Sequence, residues 1–360
     1  MSASERKDDH VRLAASQQAT TNAFDDVAFL HHALAGIDAD AVTLESEILG
    51  LSWPVPFYIN AMTGGSAHTG EINRALAIAA RETGVPLASG SMSVGLDDPS
   101  ALPTFRVLRD ENPDGIVFAN IGIERSADDA RRAVAGLDAD ALQVHVNSLQ
   151  ETVMPEGSRS FGHWAESLER IIAAVDVPVI VKEVGFGLSS RTLSRLAAAG
   201  AAGADVSGRG GTDFIRIENA RRSGGDYDYL TGWGQSAVAC LLDAPADAPT
   251  LFASGGVRTP LDVVRALALG ARAVGVSGSF LRIVLEGGAE ALVPVLRQWI
   301  AHIRALQTAL GVASVDRFVD TDLIITGETA EFCRARGIDI TAIARRTDAA
   351  GAAERSRNVR

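Results

Sequence analysis

With 360 residues, 47% of them hydrophobic, the chain suits one large α/β domain or two small ones, with ample material for a core. A formal net charge of -12 argues against nucleic acid or an anionic membrane as partner. No apolar run is long and unbroken enough to span a bilayer, the first residues do not read as a secretory leader, and the 35 glycines follow no short period. Cys240 and Cys333 lie far apart and match no metal spacing, so two reduced thiols in a cytoplasmic protein are expected.

Residues 1–24 are polar and show no apolar period, and read as an arm. Residues 24–34 and 42–51 are hydrophobic and suit a helix and entry strands. From Pro56 a rhythm sets in, with short apolar runs alternating with amphipathic stretches. Strands are predicted at 57–62, 86–91, 116–121, 141–147, 178–184, 204–208, 250–255 and 273–278. They lack polar alternation, as parallel strands buried on both faces do. Helices are predicted at 70–83, 188–199 and 260–269, the last with Thr259 as cap and Pro260 in the first turn.

Eight strand–helix units in one α/β chain imply a (β/α)8 TIM barrel, with a doubly wound open sheet as the alternative. No linker divides the chain, so one domain is expected over 1–360, its barrel core at about 57–285. The charged insert 213–231 reads as an active-site loop, the tail 286–346 as C-terminal helices, and the chain from Thr347 as a frayed end.

Barrel chemistry sits at the C-terminal ends of the strands, and polar residues collect there in this chain. The ends carry Asn60, Ser91, Asn120, His145 and Asn147, Lys182 and Glu183, Ser207, Ser254 and Ser277. Gly255-Gly256 followed one unit later by Gly278 suits a phosphate, with Arg258 as a nearby cation. Lys182 can form a Schiff base, place a cation beside a flavin, or pair with Glu183. To this point the residues describe a phosphate-binding barrel enzyme whose cofactor is undecided.

An ordered set of motifs narrows the choice. Arg6-Lys7-Asp8-Asp9-His10 opens the chain, and Ala61-Met62-Thr63-Gly64-Gly65 ends the first barrel strand. Gln143-Val144-His145-Val146-Asn147 runs into Gln150-Glu151. Val181-Lys182-Glu183-Val184-Gly185, Ser207-Gly208-Arg209-Gly210-Gly211-Thr212, Trp233-Gly234-Gln235-Ser236 and Gly255-Gly256-Val257-Arg258 follow. From Arg6 to about Gly337 the chain resembles the type 2, FMN-dependent isopentenyl-diphosphate delta-isomerases. The resemblance implies that Ala61, Met62, Thr63, Ser91, Asn120, Lys182, Ser207, Thr212, Gly256, Arg258, Ser277 and Gly278 hold FMN. It implies that Arg6, Lys7, His10, His145, Asn147 and Gln150 hold the diphosphate substrate, and that Glu151 holds Mg²⁺. A homo-oligomer, tetramer or octamer, is implied as well. Two departures stand out: Ser93 where many members have arginine, and Phe214 near a position where many have tryptophan.

The implied reaction interconverts isopentenyl and dimethylallyl diphosphate by a 1,3-proton shift. The flavin must be reduced, with NADPH as the expected source. No pair of carboxylates suited to proton transfer stands out in the sequence. The reduced flavin N5 is therefore the expected proton carrier, with Gln150, His145 and Asn147 as the catalytic side chains and Glu183 a weaker candidate base. An FMN-dependent oxidoreductase acting on 2-hydroxy acids is the alternative on the same barrel, and a flavin-binding scaffold a further one.

Overall fold

The computed structural model describes residues 3–17, 22–222 and 224–348, with the side chains of 3–6, 15 and 16 left aside. Its strands, in chain order, are β1 (Val27–Phe29), β2 (Ser46–Ile48), β3 (Leu51–Trp53), β4 (Phe57–Ile59), β5 (Leu87–Ala88) and β6 (Val117–Gly122). They continue with β7 (Ala141–His145), β8 (Val179–Lys182), β9 (Gly203–Asp205), β10 (Thr250–Ser254), β11 (Ala273–Val276) and β12 (Leu323–Ile325). Strands β4 to β11 pair in parallel in sequence order, and β11 returns to β4, closing a barrel. The eight predicted runs are these eight staves. Most runs extend past the pairing at their C-terminal ends, where the chain leaves the barrel and the polar residues begin.

Helices pack around the staves, and their starts are written locally. Ser66, Ser126, Ser189, Ser236 and Thr259 each accept a hydrogen bond from the backbone N–H three residues on. Each thereby satisfies one donor that the first helical turn leaves without a partner. Pro260 follows the Thr259 cap in the first turn, as expected.

Three segments differ from the sequence reading. The polar arm contains a helix, Ala3–Ser16, in which Val11 is buried; one apolar anchor gives no period to read. The insert 213–231 contains the helix Phe214–Arg221, capped by Asp213, with Ile215, Ile217 and Glu218 buried. The C-terminal helix begins earlier than expected, at Gly278, and runs to Ala309 with a bend at Gly287 and Gly288. The tail also holds β12, which pairs antiparallel with β1 almost 300 residues away. Such a pairing has no local signal. Thr347 is tied down rather than frayed, donating through N–H and hydroxyl to Asp322.

Alternate residues of each stave face the barrel axis. Low in the barrel they are apolar: Tyr58, Phe118, Phe252 and Ile180 pack with Trp53 from the β2–β3 hairpin, which closes the bottom. One pleat higher they are polar: Asn60, Asn120, Gln143, Lys182, Asp205 and Ser254, all buried. Asp205 is the fixed point of this layer. It is 0% exposed and accepts from Tyr58 Oη (2.9 Å), Asn60 Nδ2 (2.9 Å), Ser254 Oγ (2.8 Å) and the Ser207 N–H (3.1 Å). Removing that acceptor strands several buried donors, each at a cost of about 1–3 kcal/mol. Asp205→Ala is thus expected to lose on the order of 3 kcal/mol or more of unfolding free energy, and Ser254→Ala about 1 kcal/mol. Urea unfolding followed by circular dichroism reads both, and a loss for Asp205→Ala no larger than for Ser254→Ala would contradict the account.

Candidate active site

The polar layer forms the floor of a cavity of about 700 Å³ that opens at the C-terminal ends of the staves. That volume lies within the usual range for a small-molecule or cofactor site. Of the sequence-predicted residues, Ala61, Met62, Ser91, Asn120, Lys182, Ser207, Thr212, Gly256, Arg258, Ser277 and Gly278 line it. So do Lys7, His10, His145, Asn147, Gln150 and Glu151. Thr63 stands behind the wall instead, with a buried hydroxyl that finds no partner. The side chain of Arg6 lies outside the described residues.

A directed chain of hydrogen bonds crosses the floor. Asp205 can only accept from Asn60, so the Asn60 amide turns its NH₂ toward it and its oxygen toward Gln143 Nε2 (3.3 Å). Gln143 Oε1 then accepts from Asn120 Nδ2 (3.1 Å), which leaves Asn120 Oδ1 facing His145 Nδ1 at 2.9 Å. His145 therefore carries its proton on Nδ1. Burial, then the charges of Lys182 and Lys7, pull its pKa down to about 3, so the ring is neutral.

At the end of β8, Lys182 Nζ donates to the Glu183 backbone oxygen (2.6 Å) and to Ser207 Oγ (3.3 Å), not to the Glu183 carboxylate. Burial pulls the Lys182 pKa below the ordinary lysine range, against the charges of Asp205 and Glu183. The Glu183 carboxylate turns away and accepts from the N–H groups of Val184, Gly185 and Phe186 at 2.5–2.8 Å. Burial pushes its pKa up to about 7, outweighing those three donors and Lys182.

The wall beyond β10 and β11 is backbone. Gly255 (φ +93°) and Gly256 (φ +79°) hold left-handed conformations, and a Cβ on Gly255 would stand 1.9 Å from the Gly208 oxygen. Only glycine fits there, and the bare backbone suits the approach of a phosphate. Arg258 borders this wall, but its guanidinium is held by Asp25 (2.6 and 3.0 Å) and Asp262 (3.1 Å).

The opposite wall comes from the short helix Ser148–Val153 and from Phe214–Arg221. Asn147 Nδ2 donates to Gln150 Oε1 (3.2 Å) and Glu151 Oε1 (3.0 Å). Gln150 Nε2 donates to Glu218 Oε1 (2.8 Å), and His10 Nε2 reaches the same oxygen at 3.2 Å without hydrogen-bond alignment. Glu218 is fully buried; burial raises its pKa, but His10, Gln150 and Arg221 together overcome this and hold it below the ordinary carboxylate range. A carboxylate thus backs Gln150, where the sequence had suggested no carboxylate pair for proton transfer and only Glu183 as a weaker candidate base. Glu218 escaped notice because it sits on a helix in a segment read as a loop.

The arm closes the mouth. Ser66 Oγ donates to Asp8 (2.7 Å), Gln17 exchanges two hydrogen bonds with the Asp213 backbone (2.7 and 3.1 Å), and Asn22 Nδ2 donates to the Gly256 oxygen. Arg125 also reaches the cavity, donating to Ser93 Oγ (3.1 Å) and held from outside by Asp97. Its guanidinium lies against the serine that replaces an arginine in the motif. Glu124 and Glu151 are the acidic side chains among the lining residues, so a cation would meet a single carboxylate of the Glu151 helix and ligand oxygens, a donor set suited to Mg²⁺. The glycine wall, Lys182 and the cavity size fit FMN. No helix among the described residues is long and apolar enough to cross a membrane.

The floor chain makes a direct test possible. In the ligand-free protein, His145 is expected to be an Nδ1–H tautomer with a midpoint at about 3. Nitrogen NMR on histidine-labelled protein reads both properties, and an Nε2–H tautomer or a midpoint near the ordinary value of about 6.5 would contradict the assignment.

Comparison with known proteins agrees with this geometry. Residues 123–325, more than half of the chain, match the family described as FMN-dependent dehydrogenase. The chain is 57% identical over 350 residues to an isopentenyl-diphosphate delta-isomerase of Streptomyces sp. (strain CL190), covering 96% of each. It is 46% identical over 339 residues to the enzyme of that name from Staphylococcus epidermidis, covering 93% of this chain and 97% of the relative. Among solved structures, mandelate oxidase aligns with a TM-score of 0.63 at 19% identity, over 89% of this chain and 97% of that one, a likeness of fold alone. By its kinship along nearly the whole length, the chain belongs to the isopentenyl-diphosphate delta-isomerase family, built on the barrel of the FMN-dependent dehydrogenases.

Proposed function

We propose that this protein interconverts isopentenyl diphosphate and dimethylallyl diphosphate by a 1,3-proton shift, using reduced FMN, Mg²⁺ and NADPH as the reductant. The observation that carries the reading is that one cavity joins a glycine-walled half to a half bordered by Lys7, His10, Gln150 and Glu151. A homo-oligomer in the cytoplasm belongs to the same reading. The oxidation of a 2-hydroxy acid on this barrel is supported only by the distant likeness of fold.

FMN would lie against Ala61, Met62, Ser91, Asn120, Lys182, Ser207 and Thr212, with its phosphate toward Gly256, Ser277 and Gly278. When bound in reduced form, it would supply an electron-rich ring and an exchangeable proton. The chain's own residues do the rest. Lys182, short of a carboxylate contact, offers a cation to the ring. Lys7, with Arg6 before it, brings positive charge to a diphosphate from the arm. Glu151 would hold Mg²⁺ against the same oxygens, one carboxylate sufficing when phosphates complete the shell. His145, fixed on Nδ1 by Asn120, and Asn147 orient the substrate.

The reaction adds a proton to the terminal alkene carbon and removes one from C2. Gln150 cannot serve as a strong acid or base, but its amide is held at both ends, by Asn147 and by Glu218. Behind it the buried Glu218 Oε1 lies 3.2 Å from Nε2 of the partly buried His10. Closure of the arm excludes water, which strengthens the electrostatic contacts within.

Assayed without oxygen in the presence of Mg²⁺, the protein is expected to turn over many times after a single reduction by NADPH and to be inactive with oxidised flavin. NADPH consumed in proportion to product would instead identify an oxidoreductase. Lys7→Ala is expected to raise KM by roughly tenfold to a hundredfold at normal flavin content, the effect of one charge-assisted contact; unchanged KM would reduce the arm to a cover. Glu151→Gln is expected to lose most activity together with its response to Mg²⁺ while melting near the wild-type temperature. A full Mg²⁺ response in that variant would remove Glu151 from the metal site.

A further inference from the structure

Two arginines border the glycine wall, and their surroundings differ. Arg258 is spent: Asp25 and Asp262 hold its guanidinium, and its backbone N–H also donates to Asp262 (3.0 Å). The pair with Asp25 ties the turn Ala23–Asp26 to the loop after β10, beside the Asn22–Gly256 contact. Arg282 lines the same cavity from the helix Gly278–Ala309. It follows Gly278 by four residues, so the two share a helix face, and a long helical side chain leans over the turn before it. That direction takes its guanidinium toward Ser277, Gly278 and the glycine pair. Its hydrogen bond is a 3.4 Å contact to the Gln17 backbone oxygen, and among the described residues it meets no carboxylate. A half-buried guanidinium without a counter-charge, beside bare backbone, is matched by an anionic ligand.

We infer that Arg282 is the cationic contact for the FMN phosphate, and that Arg258 is a clamp between the arm's exit and the phosphate-side loop. The inference rests on the FMN reading above. The full-length protein stripped of flavin is titrated with FMN and with riboflavin, which lacks the phosphate, by quenching of flavin fluorescence. Arg282→Gln is expected to weaken FMN by roughly tenfold to a hundredfold and to leave riboflavin unchanged, so the preference for FMN collapses. Arg282→Lys, which keeps the charge and serves if the glutamine variant does not fold, is expected to retain most of the preference and to lose it with rising salt. Arg258→Gln is expected to melt at a lower temperature with the FMN-to-riboflavin ratio intact. A wild-type ratio in Arg282→Gln, a salt-independent ratio in Arg282→Lys, or a collapsed ratio in Arg258→Gln overturns the assignment alone. Wild-type protein that binds FMN no better than riboflavin overturns the FMN reading and the assignment with it.

Discussion

The site depends on a carboxylate that never meets solvent. Asp205 takes donors from β4, from β10 and from the turn after β9, and so fixes three parts of the barrel at one height. An acceptor-only group at one end of a row of amides gives every amide a direction. Asn60, Gln143 and Asn120 pass that direction across the floor, and it ends in the tautomer of His145. Below this layer Trp53, Tyr58, Phe118 and Phe252 pack together and close the barrel at its bottom. A buried polar network is costly when half satisfied and rigid when complete, and this one is connected end to end.

Charge in this acidic protein is allotted locally. The net charge of -12 would repel an anionic ligand at long range, so cations must stand where the ligand lies. Most arginines are already paired with carboxylates on the surface, and even Arg258 at the cavity edge is matched twice over. Lys182 and Arg282 differ in bonding to backbone and hydroxyl oxygens, which leaves their charge available to the cavity. His145 is neutral beside Lys182 and Lys7, because a third positive charge in that space is disfavoured by burial and by those two.

The two halves of the cavity meet through the N-terminal arm. Its helix borders the Gln150 side through Lys7 and His10, its exit is pinned at Gln17 to the Phe214–Arg221 cap, and the turn at Asp25 is paired with Arg258 beside the glycine wall. Ordering of the roof is thereby linked to the loops after β9 and β10. The fold is shared with mandelate oxidase at 19% identity.

The barrel was legible in the sequence because buried parallel strands are continuous apolar runs, and their polar ends name the lining residues wherever the chain leaves the sheet. The cap at Thr259 was equally legible, and those at Ser66, Ser126, Ser189 and Ser236, found in the structure, follow the same local rule. The order of motifs from Arg6 onward carried the family. What the sequence could not determine is which charges remain available. Arg258 and Arg282 look alike in a row of letters; one is neutralised by Asp25, over 230 residues away in the chain, and the other is not. Glu218 lies in a charged segment and becomes a buried partner of Gln150 only when the two helices of that wall pack together. Thr63 belongs to the strand-end motif yet turns behind the wall. Strand periodicity is a property of neighbours in the chain, but counter-charge, burial and tautomer depend on neighbours in space, and those exist only once the barrel has closed.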